Sequence, residues 1–256
     1  VQFWSLQGLT DYEKARELQL QLVDLRASDL IPDTVLFLEH PPVITRGRGL
    51  QYTGEPRPRH MPLPIELPEG IRFYEAERGG DLTYHGPGQW VVYPICKLNQ
   101  SVQGSTRDVV GFVRKLESVF IEELAEWGLQ GESRAHATGV WIGGRKVASL
   151  GIAVRKWIIY HGMAVNCVND LSPFQLISPC GFSPDVMARL LDFTVPEWFQ
   201  DADKQWGSCR KRFEVNFARR MARAFTASVE IQSFPDVESA LSKYLELKKP
   251  DATLVG

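Results

Sequence analysis

Gly139-Val140-Trp141-Ile142-Gly143-Gly144-Arg145-Lys146-Val147-Ala148-Ser149-Leu150-Gly151-Ile152-Ala153-Val154 reads as two strands joined by a tight turn. Glycine pairs suit the primed turns that close hairpins, so Gly143-Gly144 marks the bend between segments 139–142 and 146–154. Residues 157–167 carry the β pattern onward. Upstream, Val109, Val113, Leu116, Phe120, Leu124 and Trp127 recur at helical spacing, with Gly128 placed to end the helix. Residues 90–95 and 34–40 (TVLFLEH) read as short strands, the latter stopping at Pro41-Pro42. Thr10-Asp11-Tyr12-Glu13 has the form of a helix capping box, and Ala15, Leu18, Leu22 and Leu25 follow at helical spacing. Past Pro184, Phe213, Phe217, Met221 and Phe225 make one helical face, and a last helix falls near 237–247. Hairpins interleaved with separate helices predict an α+β fold, a mixed sheet with flanking helices.

No internal repeat or shift in composition divides the chain, which is read as one domain over 1–256. Residues 51–70 hold five prolines and two glycines and are expected to form a proline-rich loop insertion. Residues 183–256 are expected to form a C-terminal helical portion. An apolar fraction of 44% and a charged fraction of 23% are those of an ordinary globular protein. A net charge of −2 gives no general pull toward nucleic acid or anionic membrane. Locally, Arg210, Lys211, Arg212, Arg219, Arg220 and Arg223 cluster. They are read as a solvated face, with an acidic protein partner as the sharper alternative.

No apolar run of about 18 residues is present, so no membrane span is expected. The first residues lack the layout of a secretion signal, which favours the cytoplasm; with a leader removed, the mitochondrial matrix is the alternative. Cys96, Cys167, Cys180 and Cys209 do not suggest a disulfide framework in a chain this long. The absence of CxxC and HxxxH pairs argues against a zinc site.

The candidate chemistry starts at Arg78-Gly79-Gly80-Asp81-Leu82-Thr83-Tyr84-His85-Gly86-Pro87-Gly88-Gln89. This stretch is read as a glycine loop rather than an ordinary strand or helix. Its glycines let backbone approach a ligand closely, and Arg78, Thr83, Tyr84 and His85 bring polar groups to it. Cys180 lies in Ser178-Pro179-Cys180-Gly181, where Gly181 leaves room for a carbonyl and a free N–H for an oxyanion. An unperturbed thiol is only about 3% thiolate at pH 7, so a nucleophilic cysteine needs a cation or base beside it. Lys146, at a strand start, is a normal solvated lysine unless partial desolvation lets it exchange a proton near neutrality. His161-Gly162-Met163-Ala164-Val165-Asn166 again sets a glycine among polar groups. Cys96 and Cys167 read as core filler, whereas Cys209, beside Arg210 and Lys211, is the rival nucleophile.

The ordered set RGG-x-x-TYHGPGQ (78–89), RKVASLG (145–151), HG-x-x-x-N (161–166) and DLSPF-x-x-x-x-PCG (170–181), preceded by His40-Pro41-Pro42, resembles the lipoyl(octanoyl) transferases. The resemblance covers roughly residues 1–182. It implies the catalytic fold shared by lipoate and biotin protein ligases, and transfer of an octanoyl group from acyl carrier protein to a lysine of a lipoyl domain. Such domains occur in 2-oxoacid dehydrogenase E2 subunits and in the glycine cleavage H protein. It further implies Cys180 as acyl-thioester nucleophile and Lys146 as the base that tunes it. The substrate-contacting segments fall on Arg78, Gly79, Gly80, Asp81, Leu82, Thr83, Tyr84 and His85, then Ser149, Leu150 and Gly151, then Gly162, Met163 and Ala164. No ATP, metal or other cofactor is required. The proline-rich stretch and the tail beyond Ser183 depart from the family pattern. Three other readings stay open: an ATP-dependent lipoate or biotin ligase using Arg46-Gly47-Arg48-Gly49 for phosphate, an octanoyl amidotransferase between lipoyl domains, and a catalytically silent acyl-binding module.

Overall fold

The computed structural model describes residues 1–49, 67–98, 108–135, 137–177, 183–225 and 228–248. In chain order the elements are β1 (Gln2–Leu9), α1 (Tyr12–Ala27), β2 (Thr34–Glu39), β3 (Val43–Arg46), β4 (Arg72–Glu75), β5 (Leu82–His85) and β6 (Gln89–Lys97). Then follow α2 (Val109–Glu126), β7 (Gly131–Ser133), β8 (Gly139–Ile142), β9 (Arg145–Arg155) and β10 (Ile158–Asn166). Short 3₁₀ turns lead to α3 (Glu197–Gln200), α4 (Ala202–Ala224), β11 (Ile231–Phe234) and α5 (Val237–Lys248). Among the described residues no helix is long and apolar enough to cross a membrane.

Eight strands form one mixed sheet in the order β11-β1-β2-β6-β10-β9-β8-β7, and β4-β3-β5 form a smaller one. β1 runs parallel to both β11 and β2, while the central β2, β6, β10 and β9 pair antiparallel. Strand side chains alternate between faces, and both faces of the large sheet are covered. Phe3, Phe37, Trp90 and Val92 pack with Phe112 and Phe120 of α2 and Phe213 and Phe217 of α4. Trp4, Leu36, Leu38, Val91 and Tyr93 pack with Leu18 and Leu22 of α1 and Ala240 of α5. Burial on both faces is why 35–38 reads as an unbroken apolar run. The sheet with its flanking helices is the expected α+β arrangement, and the Gly143-Gly144 turn has both residues at positive φ, +54° and +83°.

Several expectations are corrected. The N-cap of α1 is Asp11, not Thr10: its carboxylate accepts from the N–H groups of Glu13 and Lys14, while the Thr10 N–H is committed to the Glu39 carbonyl. The glycine stretch contains a true buried strand, β5, which pairs antiparallel with β3. The C-terminal portion is not wholly helical, since β11 completes one edge of the large sheet. Nor is the basic cluster a uniform solvated face. Arg210 is buried and pairs with Glu39 (2.9 Å) and Glu214 (2.7 Å), and Arg220 pairs with Glu123 (2.5 Å). Lys211, Arg212, Arg219 and Arg223 remain exposed. The proline-rich loop reading lies, for 51–66, outside the described residues.

Candidate active site

The small sheet folds over β9 and β10, leaving between them a narrow cavity that is partly open to solvent. From β9 it is lined by Lys146, Ser149, Leu150 and Gly151, and from β10 by His161, Gly162, Met163 and Ala164. Arg78, Gly80, Leu82, Thr83 and His85 form the opposing wall, with Tyr12 from α1 and Tyr93 from β6. Three segments far apart in sequence, all singled out from their glycine and polar pattern, thus meet around one space.

Close backbone approach explains two of the glycines. A Cβ at Gly151 would sit 2.8 Å from the Gly79 carbonyl oxygen and 3.1 Å from Arg78 Cδ, so only glycine lets the 78–80 loop lie on β9. Gly139, at φ +142°, leaves space filled by the Lys146 stem, whose Cε would lie 2.5 Å from an added Cβ.

Lys146 is 4% exposed, and its Nζ lies 5.6 Å from the centre of the Trp141 ring. Its carbonyl accepts from the Ala188 N–H at 3.0 Å, and Met187 bridges to Lys146 as a short parallel rung. Met187 in turn packs with Ile177, Phe174 and Tyr84. Cys180 lies outside the described residues, but the chain on both sides of it, at Ile177 and at Met187, is anchored in this one cluster beside Lys146.

The opposite wall is held by hydrogen bonds. The Arg78 guanidinium donates to the Thr45 carbonyl (2.8 Å) and hydroxyl (2.7 Å) and to the Gly79 carbonyl (3.0 Å). Gln89 Nε2 donates to the Tyr84 carbonyl and to Asn166 Oδ1, so its Oε1 accepts from His85 Nδ1–H at 2.7 Å. The cavity-lining imidazole is therefore left with an acceptor at Nε2. His40 Nδ1–H donates to the Thr10 carbonyl (2.7 Å), and its Nε2 accepts from the Tyr93 hydroxyl (2.8 Å). Burial lowers the pKa of His85 well below the ordinary histidine value, lowers that of His161, and brings His40 down to about 4. Each is neutral in the folded protein near pH 7 and binds a proton more readily when unfolded. Stability is therefore expected to fall as the pH drops from about 6.5 toward 4, a trend that urea midpoints across that window would check.

Of the residues expected from the sequence, Gly79, Asp81 and Tyr84 do not line the cavity. The Gly79 N–H donates to the Ile152 carbonyl and the Asp81 carbonyl accepts from Gly47, so both shape the loop. Tyr84 packs edge-on against Phe174, its phenol pKa raised to about 12 by burial. Tyr12 and Tyr93 were missed, the first because its segment reads as a helix cap and the second because it sits in an apolar strand. Cys209 is not the thiol its basic neighbours suggest. Burial raises its pKa, it donates to the Trp198 carbonyl at 3.2 Å, and it does not line the cavity. Arg46-Gly47-Arg48-Gly49 is also poorly suited to phosphate, since the N–H groups of residues 47, 48 and 49 are spent on the carbonyls of Asp81, Arg78 and Gly80.

Residues 11–205 match the lipoyl protein ligase A/B catalytic domain. An octanoyltransferase from Syntrophobacter fumaroxidans is 44% identical over 175 residues, covering 68% of this chain and 73% of that protein. Another from Thermosynechococcus vestitus is 39% identical over 214 residues, covering 83% and 86%. In three dimensions the fold resembles lipoate-protein ligase A bound with ATP, with a TM-score of 0.64, 14% identity and 97% and 96% of the two chains covered. It also resembles the Thermoplasma acidophilum protein Ta0514 with bound lipoic acid: TM-score 0.63, 13% identity, 96% and 94% covered. The ligase resemblance establishes the architecture alone, while the sequence relatives and the domain match go further: the chain belongs to the octanoyltransferase family built on the lipoyl protein ligase A/B catalytic domain.

Proposed function

We propose that this protein transfers an octanoyl group from the thioester of an acyl carrier protein to a lysine of a lipoyl domain, through an acyl-thioester on Cys180. The observation that carries this reading is a buried lysine facing a mostly apolar cavity, beside the anchored flanks of the segment that holds Cys180. Lys146, as the neutral amine, takes the Cys180 proton. The thiolate attacks the octanoyl carbonyl, a tetrahedral intermediate forms, and the carrier thiol leaves with a proton returned from Lys146. One thioester replaces another, a nearly balanced step. The target amine then attacks the Cys180 thioester, Lys146 accepts a proton from it, and Cys180 departs as a thiol once reprotonated. The product is an amide, so this half-reaction runs downhill and needs no ATP.

Intact-protein mass spectrometry after mixing with octanoyl carrier protein tests the reading: one octanoyl mass on Cys180, discharged by a lipoyl domain, is the expected result. Label on another residue would overturn it. Pyrophosphate exchange into ATP in the presence of octanoate would instead reveal a ligase. Lys146→Ala is expected to slow both acyl loading and discharge by about 10²–10⁴-fold, measured separately in single-turnover experiments. Unchanged rates in that variant would remove Lys146 from the mechanism.

A further inference from the structure

Two carboxylates of α2 are fully buried, Glu117 and Glu123, and each is paired with an arginine: Arg114 at 2.6 Å and Arg220 at 2.5 Å. A buried charge is unfavourable unless it is paired and hydrogen-bonded, so the second oxygen of each carboxylate shows what else the charge holds. Glu123 uses it within the helical layer, where Oε1 accepts from the Trp127 indole, at the C-cap of α2, at 3.0 Å. Glu117 reaches out of that layer. Its Oε1 accepts from the N–H of Gly139, the first residue of β8, at 2.9 Å.

Gly139 is the surface on which the Lys146 side chain lies. A Cβ there would sit 2.5 Å from Lys146 Cε and 3.2 Å from its Nζ. The backbone at Gly139, with φ +142°, is one that residues bearing a Cβ rarely adopt. Gly139 stands opposite Ser149 of β9, a cavity-lining residue, so the end of Lys146 is held beside that part of the wall. The chain just before β8 is tied to the same helix. Arg114, paired with Glu117, donates to the carbonyls of Arg134 and Ala135 at 3.2 Å each. The Trp141 indole donates to the Ala137 carbonyl at 3.0 Å, and the Arg134 guanidinium lies 4.4 Å from the centre of the Trp141 ring. Glu117 is therefore the point at which α2 grips both the approach to β8 and the glycine beneath the lysine.

We propose that Glu117, which does not itself line the cavity, is a positioning residue for acyl transfer: by fixing Gly139 it holds the Lys146 amine where protons are exchanged. This rests on the acyltransfer reading above and adds to it the residue that aims the base. Glu117→Met fills a similar volume but cannot accept the Gly139 N–H. Because a misplacement of about 1 Å can cost about 10²-fold, this variant is expected to slow acyl loading at saturating octanoyl carrier protein by about 10–10²-fold. Calorimetric affinity for octanoate is expected to stay at the native value. Glu117→Gln keeps an accepting oxygen and is expected to recover most of the native rate. Glu123→Met removes the other buried carboxylate of the same helix and is expected to load at the native rate. Urea midpoints give the stability lost in each variant. Should Glu117→Met not fold, Glu117→Asp draws the acceptor back by one methylene and tests the same contact. Loading that matches the native protein, or that falls no further than in Glu123→Met, overturns the proposal. Acylation of Lys146 by p-nitrophenyl octanoate in the Cys180→Ala background separates this claim from the transfer reading. There the amine displaces nitrophenolate, loses its proton to solvent and becomes an octanamide, located by peptide mass spectrometry. If the native chain transfers no acyl group yet Glu117→Met slows this labelling and Glu123→Met does not, the transfer reading fails and the positioning role stands. If transfer occurs and the two variants behave alike in both measurements, the positioning role fails alone.

Discussion

Cys180→Ala is expected to abolish the octanoyl-enzyme adduct and to lower transfer to a lipoyl domain by at least about 10⁴-fold, the scale on which losing a covalent nucleophile is felt. No other described thiol is placed to substitute. Burial pushes the Cys96 and Cys167 thiols well above the ordinary cysteine value, and the Cys209 sulfur is turned to the Trp198 carbonyl. None of the three lines the cavity. The same variant should still bind octanoate, because the walls around Ser149–Gly151 and Gly162–Ala164 are unaltered. Lost transfer with retained binding, read by calorimetry alongside mass spectrometry, separates a missing nucleophile from a damaged pocket. A variant that keeps both adduct and turnover would overturn the mechanism.

The largest expected effect on stability lies elsewhere, at Arg210→Met. The guanidinium sits between Glu39 and Glu214 and also donates to the Leu6 carbonyl at 2.7 Å. Both carboxylates are buried and have other duties: Glu39 accepts from the Gly88 N–H, and Glu214 from the Ser5 hydroxyl and the Trp90 indole. Methionine fills most of the volume but leaves two carboxylates without their cation, which costs about 3–5 kcal/mol when one partner of a buried pair is removed. Urea denaturation should register that loss. Because Glu39 also fixes Gly88, at the turn from β5 into β6, the cavity wall is expected to loosen with it. A loss under about 1 kcal/mol would mean that the carboxylates are neutralised or solvated without Arg210.

Elements that carry their own periodicity were legible in the sequence. α2, the Gly143-Gly144 hairpin and the doubly buried β2 each announce themselves through spacing or composition. β1, β3, β4, β7 and β11 do not. Val43–Arg46 and Arg72–Glu75 are four residues each, and Ile231–Phe234 is a half-exposed tetrapeptide whose extended form comes from its neighbour β1 rather than from its residues. The glycine stretches of the site were legible because close backbone contact leaves little choice of residue. The orientations within it were not: nothing in His161-Gly162 announces a left-handed histidine, and nothing beside Arg210 in the chain reveals carboxylates contributed by β2 and by the next turn of α4. Tyr12 and Tyr93 enter the site only through tertiary packing.

The pairing of Phe3 with Ile231 and of Leu6 with Phe234 has a consequence for synthesis. Strand β1 has a neighbour on one flank early, but its other flank stays bare until residues 231–234 have left the ribosome. Contacts of such long sequence separation form late, and a bare strand flank invites pairing with other nascent chains. Chaperone demand during translation is thus written into the position of one four-residue strand.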